Sequence, residues 1–423
     1  MNFKDKSVLV IDRGLFVSLA ERLVGEFGKV GYYTPWETLF PDASALAVGD
    51  GLPGIIRVKY LERDYLDYDL IVFPYVYDGW MVEDYRRRGL RVWGSGPGNE
   101  LELLRWKTIE RFKELGLPTQ QSFKVRGINA LRKFLQENET ENGWYVKFSQ
   151  LRGLGETWHA QNYAQSVSYL DAFQAKNGPI AYTVTFIIET PVEDADEIGY
   201  DGFNIDGQFP SSSMYGWEVK DKAYLGEVSS YDSLPENVRR VNDGLSPVLK
   251  QFQYRNFFST ELRDDICIDR TCRHATPGGE VLSANIENLP EILWFGGEGK
   301  LIQPRFKHKY GAQLMLRSEW AEDHALLVEI PDGVRPFTAL YGHCRIDDDG
   351  SIGIADYVIP QIIPEPWKMD TIGSVIALAD DPQEAINTCK ERAEMVKGFK
   401  VECDADALDK ALEELNSART QSA

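Results

Sequence analysis

The chain has 423 residues, 43% hydrophobic and 12% aromatic, enough for a large core and for two or three domains. Its formal charge of -20 disfavours a nucleic-acid backbone as partner, since such binding rests on clustered Lys and Arg that release counterions; a small anion held by a few local lysines stays possible. No run approaches the ~20 apolar residues of a membrane span, the first residues lead straight into a short strand, and five scattered cysteines (Cys267, Cys272, Cys344, Cys389 and Cys403) make no disulfide framework, so a cytoplasmic protein with reduced thiols is expected.

Residues 7–12 read as a buried strand, and the apolar period of residues 15–24 as the helix after it, ending near Gly25 and Gly28. Further strands are predicted at 30–33, 70–73 and 91–94, with a helix over 81–88 before the last. Strands alternating with helices imply an open parallel sheet over residues 1–98. The glycines of 94–98 break the pattern, and a long helix is predicted over 100–115, stopped by Gly116-Leu117-Pro118. A second domain is expected over 99–305. Its small lobe, about 118–190, holds a strand at 121–125, a helix at 129–137, strands at 144–149 and 182–189, and the loop 151–158 between them. Strands at 198–205 and 217–220 and a hairpin over 257–273 follow. A third domain, 306–423, is expected to carry strands at 325–330, 351–359 and 374–378, a helix from Pro382 to Val396 capped by Asp381, and a charged helical tail.

The hairpin carries the chemistry. Glu261 and Asp269 lie eight residues apart on its two arms. A three-residue loop makes them direct cross-strand partners with Cβ atoms about 4.5–5.5 Å apart, close enough for both carboxylates to hold Mg²⁺. A two-residue turn at Asp264-Asp265 puts them on opposite faces, and the plainest reading is two solvated acids beside a turn. Lys147 stands alone in the apolar strand Trp144-Tyr145-Val146-Lys147-Phe148, where a bound phosphate would satisfy it unless its stem reaches water. Lys107 lies early in the predicted long helix. Arg152, Gly153 and Gly155 sit in a glycine loop whose N–H groups can approach an anion, although most such loops are turns. Glu189 ends a strand, with Val192 and Glu197 beyond it, and a strand-end carboxylate can meet ribose hydroxyls while backbone groups meet an adenine edge. Lys220 and Lys222 form a third basic point, and Arg273 can grip a carboxylate or phosphoryl group in a fork. Cys267, Cys272 and His274 lack zinc spacing, and the neighbours His343 and Cys344 point to opposite faces of any strand.

Taken in order, the sheet domain, Lys107, Lys147, the glycine loop, Glu189 and the Glu261/Asp269 hairpin resemble the ATP-grasp ligases, and among them most closely the phosphoribosylamine-glycine ligases of purine synthesis. The resemblance implies an α/β ATP-grasp fold: an N-terminal open parallel-sheet domain, a two-lobed α+β nucleotide-binding domain and a small C-terminal α+β domain. It implies a carboxylate-amine ligase that uses ATP and Mg²⁺ and acts on small molecules as a monomer or homodimer, without nucleic acid or membrane partners. Lys107, Lys147, Arg152, Gly153, Gly155, Glu189, Val192 and Glu197 would hold the nucleotide; Glu261, Asp269 and Thr271 the metal; Arg273, Lys220 and Lys222 the reacting groups. The family's metal pattern Glu…Glu-x-Asn-x-Arg reads Glu261, Asp269, Thr271 and Arg273 here. Where the glycine ligases have a Gly-x-Gly-Gly-Arg-Glu-His turn after the first strand, this chain has Asp12-Arg13-Gly14-Leu15-Phe16, which implies a different substrate. The alternative is a nucleotide-binding or structural module that kept the fold and lost the reaction.

Overall fold

The structure, a computed structural model, describes residues 2–35, 47–149, 157–192, 197–345, 357–359 and 370–421. Buried apolar runs build the first sheet from β1 (Phe3–Ile11), β2 (Phe27–Tyr33), β3 (Ile55–Arg57), β4 (Leu70–Val72) and β5 (Val92–Trp93), all parallel, in the order β3-β2-β1-β4-β5. Val8 to Ile11 and Leu70 to Val72 are buried because helices cover both faces, which is why these strands lack polar alternation. The edge strand β3 has no such run and gives no sequence signal.

The small lobe is an antiparallel sheet of β6 (Ser122–Arg126), β7 (Trp144–Phe148), β8 (Thr157–Ala160) and β9 (Thr185–Glu189), ordered β6-β9-β7-β8. Helices Ile128–Glu137 and Tyr163–Asn177 pack against it through Ile128, Leu131, Leu135 and Leu170, which join Val146, Phe186 and Ile188 in one core. The long helix predicted over 100–115 is instead two, Glu100–Leu103 and Arg105–Glu114, broken at Leu104 (φ -108°, ψ 65°). Tertiary contacts hold the break. The Arg105 N–H donates to the Ser149 carbonyl at 3.2 Å, and the Leu101 carbonyl it would have used accepts from Arg270 Nε at 2.8 Å and Thr108 Oγ1 at 3.0 Å.

The remaining strands are β10 (Glu197–Ile205), β11 (Ser212–Val219), β12 (Ala223–Ser230), β13 (Arg255–Arg263), β14 (Ile266–Thr271), β15 (Tyr310–Arg317), β16 (Leu326–Glu329), β17 (Thr338–Leu340), β18 (Cys344–Arg345), β19 (Tyr357–Ile359), β20 (Thr371–Ala379) and β21 (Lys397–Gly398). Eight of them form one antiparallel sheet, β14-β13-β10-β11-β12-β15-β20-β17, which spans both sides of residue 305. β18, β19, β16 and β21 form a small fourth sheet. Helix Pro382–Met395 packs on β15 and β20, and its start is as the sequence predicts: the Asp381 carboxylate accepts the Glu384 N–H at 3.0 Å, with proline at the first helical position. Asp381→Ala should lower unfolding stability by about 1 kcal/mol in denaturant titration; an unchanged midpoint would mean the cap contributes nothing. Among the described residues no helix is long and apolar enough to cross a membrane.

Candidate active site

The hairpin resolves its two acids in a way neither loop length alone foretells. The turn has two residues, Asp264 and Asp265, with Arg263 paired to Ile266 and Leu262 to Cys267, and Asp264 at φ 50°. A regular ladder would then set Ile268 opposite Glu261 and turn Asp269 to the other face. A β-bulge inserts Ile268 as an extra residue, so Glu261 pairs with Asp269 and Ser259 with Thr271. The Cys267 thiol donates to the Asp269 carbonyl at 3.1 Å and braces the bulge. Direct partners share a face, so the two carboxylates project together over the sheet.

On the next strand, β10, Glu197 pairs with Arg263, Gly199 with Glu261 and Asp201 with Ser259. A Cβ on Gly199 would meet nothing nearer than 3.8 Å, so the floor beside Glu261 is open. Glu218 leaves β11 beside this floor, and Lys220 follows it, with Nζ 3.7 Å from Glu218 and 3.9 Å from Glu261. Burial pushes Glu261 up to about 7, with Asp269 and Glu197 adding repulsion against the attraction of Lys220. Burial likewise pushes Glu218 up to about 8. The surrounding acids, Glu261 foremost, raise Lys220 in turn. Its side chain is 64% exposed, so water screens its attraction, and one lysine does not offset this crowd of carboxylates.

Behind the floor, the buried Asp201 accepts from Ser259 Oγ at 2.6 Å and Tyr224 Oη at 2.7 Å. Tyr224 lies flat across Gly216, where a Cβ would stand 2.3 Å from its ring. Gly216→Ala should therefore displace the ring, strip Asp201 of a donor and cost about 1–3 kcal/mol of unfolding free energy; a variant as stable as the parent would show that the ring does not depend on this glycine.

From the small lobe, Lys147 Nζ forms an ion pair with Glu189 at 2.9 Å and donates to the Ile268 carbonyl at 3.4 Å. Its side chain is 12% exposed and that of Glu189 8%. The lysine thus crosses from one lobe to the bulged residue beside Asp269. Ser122 Oγ also donates to Glu189, at 3.4 Å. Arg263 ties the start of the large sheet to the strand exit, bonding Glu197 at 3.1 Å and the Val192 carbonyl at 3.4 Å.

Other candidates have ion-pair partners outside this cluster. Lys107 is half-exposed and ion-paired with Glu100, in a shallow cleft shared with Lys124, Arg126 and Ser149. Lys222 binds Asp404 at 2.8 Å. Arg273 is paired through Nε with the buried Glu102 at 3.0 Å. Arg152, Gly153 and Gly155 lie outside the described residues. Among the described residues none of the five cysteines is in a disulfide. His343 is fully buried and 3.0 Å from Glu21.

Sequence reasoning missed Glu218, Asp201 and Arg263. The alternation Trp217-Glu218-Val219-Lys220 carried a signal for the first, since it puts the acid and the lysine on one face. Among the described residues no three Asp, Glu, His or Cys side chains gather tightly enough to hold a metal ion by themselves.

No protein-family model matches the chain, and no curated protein matches it in sequence. Solved structures do match. Phosphoribosylamine-glycine ligase of Thermotoga maritima aligns with a TM-score of 0.68 at 14% identity over 93% of this chain and 98% of its own. The biotin carboxylase domain of Hydrogenobacter thermophilus 2-oxoglutarate carboxylase, described as a dimer in complex with MgADP, ADP and bicarbonate, aligns at 0.65 and 14% identity over 97% of both chains. L-amino acid ligase of Bacillus licheniformis aligns at 0.57 and 13% identity over 94% of this chain and 99% of its own. At such identities the likeness establishes architecture. The chain has the ATP-grasp fold, as its ordered motifs led us to expect.

Proposed function

We propose that this ATP-grasp chain is an ATP-dependent carboxylate-amine ligase. A substrate carboxylate oxygen attacks the γ-phosphorus of ATP and ADP departs; an amine then attacks the acyl carbon, loses a proton, and expels phosphate to leave an amide. Such chemistry is mostly positioning and charge compensation. The observation that carries the reading is Lys147, buried between Glu189 and the backbone of the very bulge that aligns Glu261 with Asp269. A cation there faces the nucleotide from the small lobe while the acids face it from the large one.

The donor set fits magnesium. Mg²⁺ is commonly held by one or two carboxylates together with phosphate oxygens and water, so a third protein ligand is not required. Glu261 and Asp269 would hold it, with Thr271 on the same face; burial, with repulsion from Asp269 and Glu197, disfavours the Glu261 carboxylate, and a divalent cation would favour it. When bound it would neutralise the phosphates. In this reading Lys220 would balance charge at the acids, Glu189 and the Val192 backbone would receive the adenosine end, and Arg263, bonded to Glu197 and the Val192 carbonyl, would hold that segment to the large sheet. Lys107, Lys222 and Arg273 have partners elsewhere in this state, so a role for them at the phosphates requires those ion pairs to open. The partners are a small acid and a small amine, and the reading places the enzyme in the cytoplasm as a monomer or homodimer.

The test is ADP release against a panel of acids and amines. Turnover should need both. Calorimetric ATP binding with no turnover across the panel would favour the nucleotide-binding module instead, the reading that Asp269 and Thr271 motivate.

A further inference from the structure

The cleft bounded by the helix Val17–Leu23, the helices Gly279–Asn285 and Leu289–Gly296 and residues 335–338 has a volume of about 740 Å³ and shares no lining residue with the acid-lined pocket over the large sheet. Small-molecule sites commonly occupy about 300–1,000 Å³. Its lining carries four cations against three carboxylates, Glu21, Glu26 and Glu287, a small positive excess in an acidic molecule. Arg22, Lys307 and Arg392 line it, and among the described residues none of them forms an ion pair. Arg22 has only a 3.5 Å bond to the Pro336 carbonyl, Lys307 a 2.7 Å bond to the Ala284 carbonyl and Arg392 a 2.9 Å bond to the Ile376 carbonyl. Carbonyl oxygens orient these groups without neutralising them. The fourth cation, Arg335, is already committed to Glu21.

The electrostatics agree with the geometry. Burial brings Arg22 down to about 10 against the attraction of Glu280 and Glu21, and burial followed by the neighbouring Arg22 charge lowers Lys307 although Glu26 and Glu287 act the other way. In a chain with 66 acids and 46 Lys plus Arg, acids are in excess, yet in this cleft Arg22, Lys307, Arg335 and Arg392 outnumber the carboxylates Glu21, Glu26 and Glu287, and Arg22, Lys307 and Arg392 form no ion pair among the described residues. Arg392 is also held 3.5 Å over the ring of Phe337, which fixes its guanidinium at the cleft wall. Ile286 and Leu289 add apolar surface for an organic body.

We infer that this cleft is a second ligand site, separate from the nucleotide cleft, for a small organic oxyanion bearing phosphate or paired carboxylates, gripped by Arg22, Lys307 and Arg392. The occupant would touch the first sheet's helix on one side and the C-terminal segments on the other, and so would strengthen their docking.

The experiment uses the full chain saturated with Mg²⁺ and a non-hydrolysable ATP analogue, titrated calorimetrically with inorganic phosphate and, separately, with malonate; melting provides a second readout. Saturable binding of either probe is expected, weakened at least tenfold in Arg22→Gln/Lys307→Gln and in Arg392→Gln, with a matching loss of the anion-induced rise in melting temperature. Phosphate binding alone assigns the phosphate class, malonate binding alone the carboxylate class, and either supports the site. No binding of either probe, or binding that survives both sets of substitutions, overturns it. The two variants alter different elements, so a folding defect in one leaves the other to decide.

Discussion

Glu261→Gln should reduce ATP turnover by at least about 100-fold, the scale seen when one preorganised electrostatic group is removed from an active site, and it should do so without loss of fold. The glutamine keeps the shape of the side chain and its place opposite Asp269 but removes the charge that a metal ion needs. The stability effect has a defined sign. Burial, with Asp269 and Glu197, raises Glu261 to about 7 in the folded protein, against a reference near 4.5. Folding therefore favours the protonated form: the stability this group contributes is fully present below about pH 4.5 and is lost as pH rises through about 7. Above that window the parent carries the full strain of a buried anion among other acids. The glutamine variant should then melt at or above the parent at pH 8 and lose that advantage below the window. Undiminished turnover in a folded variant would sink the catalytic assignment, and a lower melting temperature at pH 8 would contradict the electrostatic account.

Lys147→Met should have the other large effect, on stability and nucleotide affinity together. Removing the amine strands the buried Glu189 carboxylate, whose nearest cation stands at 2.9 Å, and breaking a buried pair in this way costs about 3–5 kcal/mol. Affinity for an ATP analogue should fall at least about tenfold, the equivalent of 1.4 kcal/mol. The two losses are separable. Lys147→Met/Glu189→Gln removes the stranded charge, so it should recover most of the stability in denaturant titration while leaving the affinity low. If the double variant recovered both, Lys147 would be a structural lysine only.

How far the sequence could be read depended on whether each feature was local. The parallel sheet was legible because strands buried on both faces must be apolar throughout, as residues 8–11 and 70–72 are. The helix start at Asp381 and Pro382 was legible because a cap is satisfied within four residues. Lys147 stood out because one charge in an apolar strand needs a partner, and the structure supplies Glu189. The break at Leu104 was not legible, since Ser149 and Arg270 make it from far along the chain. β12 and β15 were missed because their backbone partners, not their side-chain pattern, define them: β12 mixes apolar, glycine and polar residues without a steady alternation, and β15 is buried almost throughout. Glu218 escaped because its importance lies in burial beside Glu261, which composition does not show.

The sequence by itself determined most of the order of the elements and the apolar faces, properties that neighbouring residues along the chain impose through propensity and periodicity, and its ordered motifs, with the two hairpin acids, carried the resemblance to the ATP-grasp ligases. Only the tertiary structure decided that those acids share a face, because one extra residue at Ile268 shifts the ladder and nothing local distinguishes a bulged strand from a regular one. It also decided that Lys220 approaches Glu261, at 3.9 Å, and which acid each other lysine meets. Lys147, Lys107 and Lys222 carry the same charge, and their different partners follow from where folding brings carboxylates within a few ångströms, a distance the linear chain does not encode.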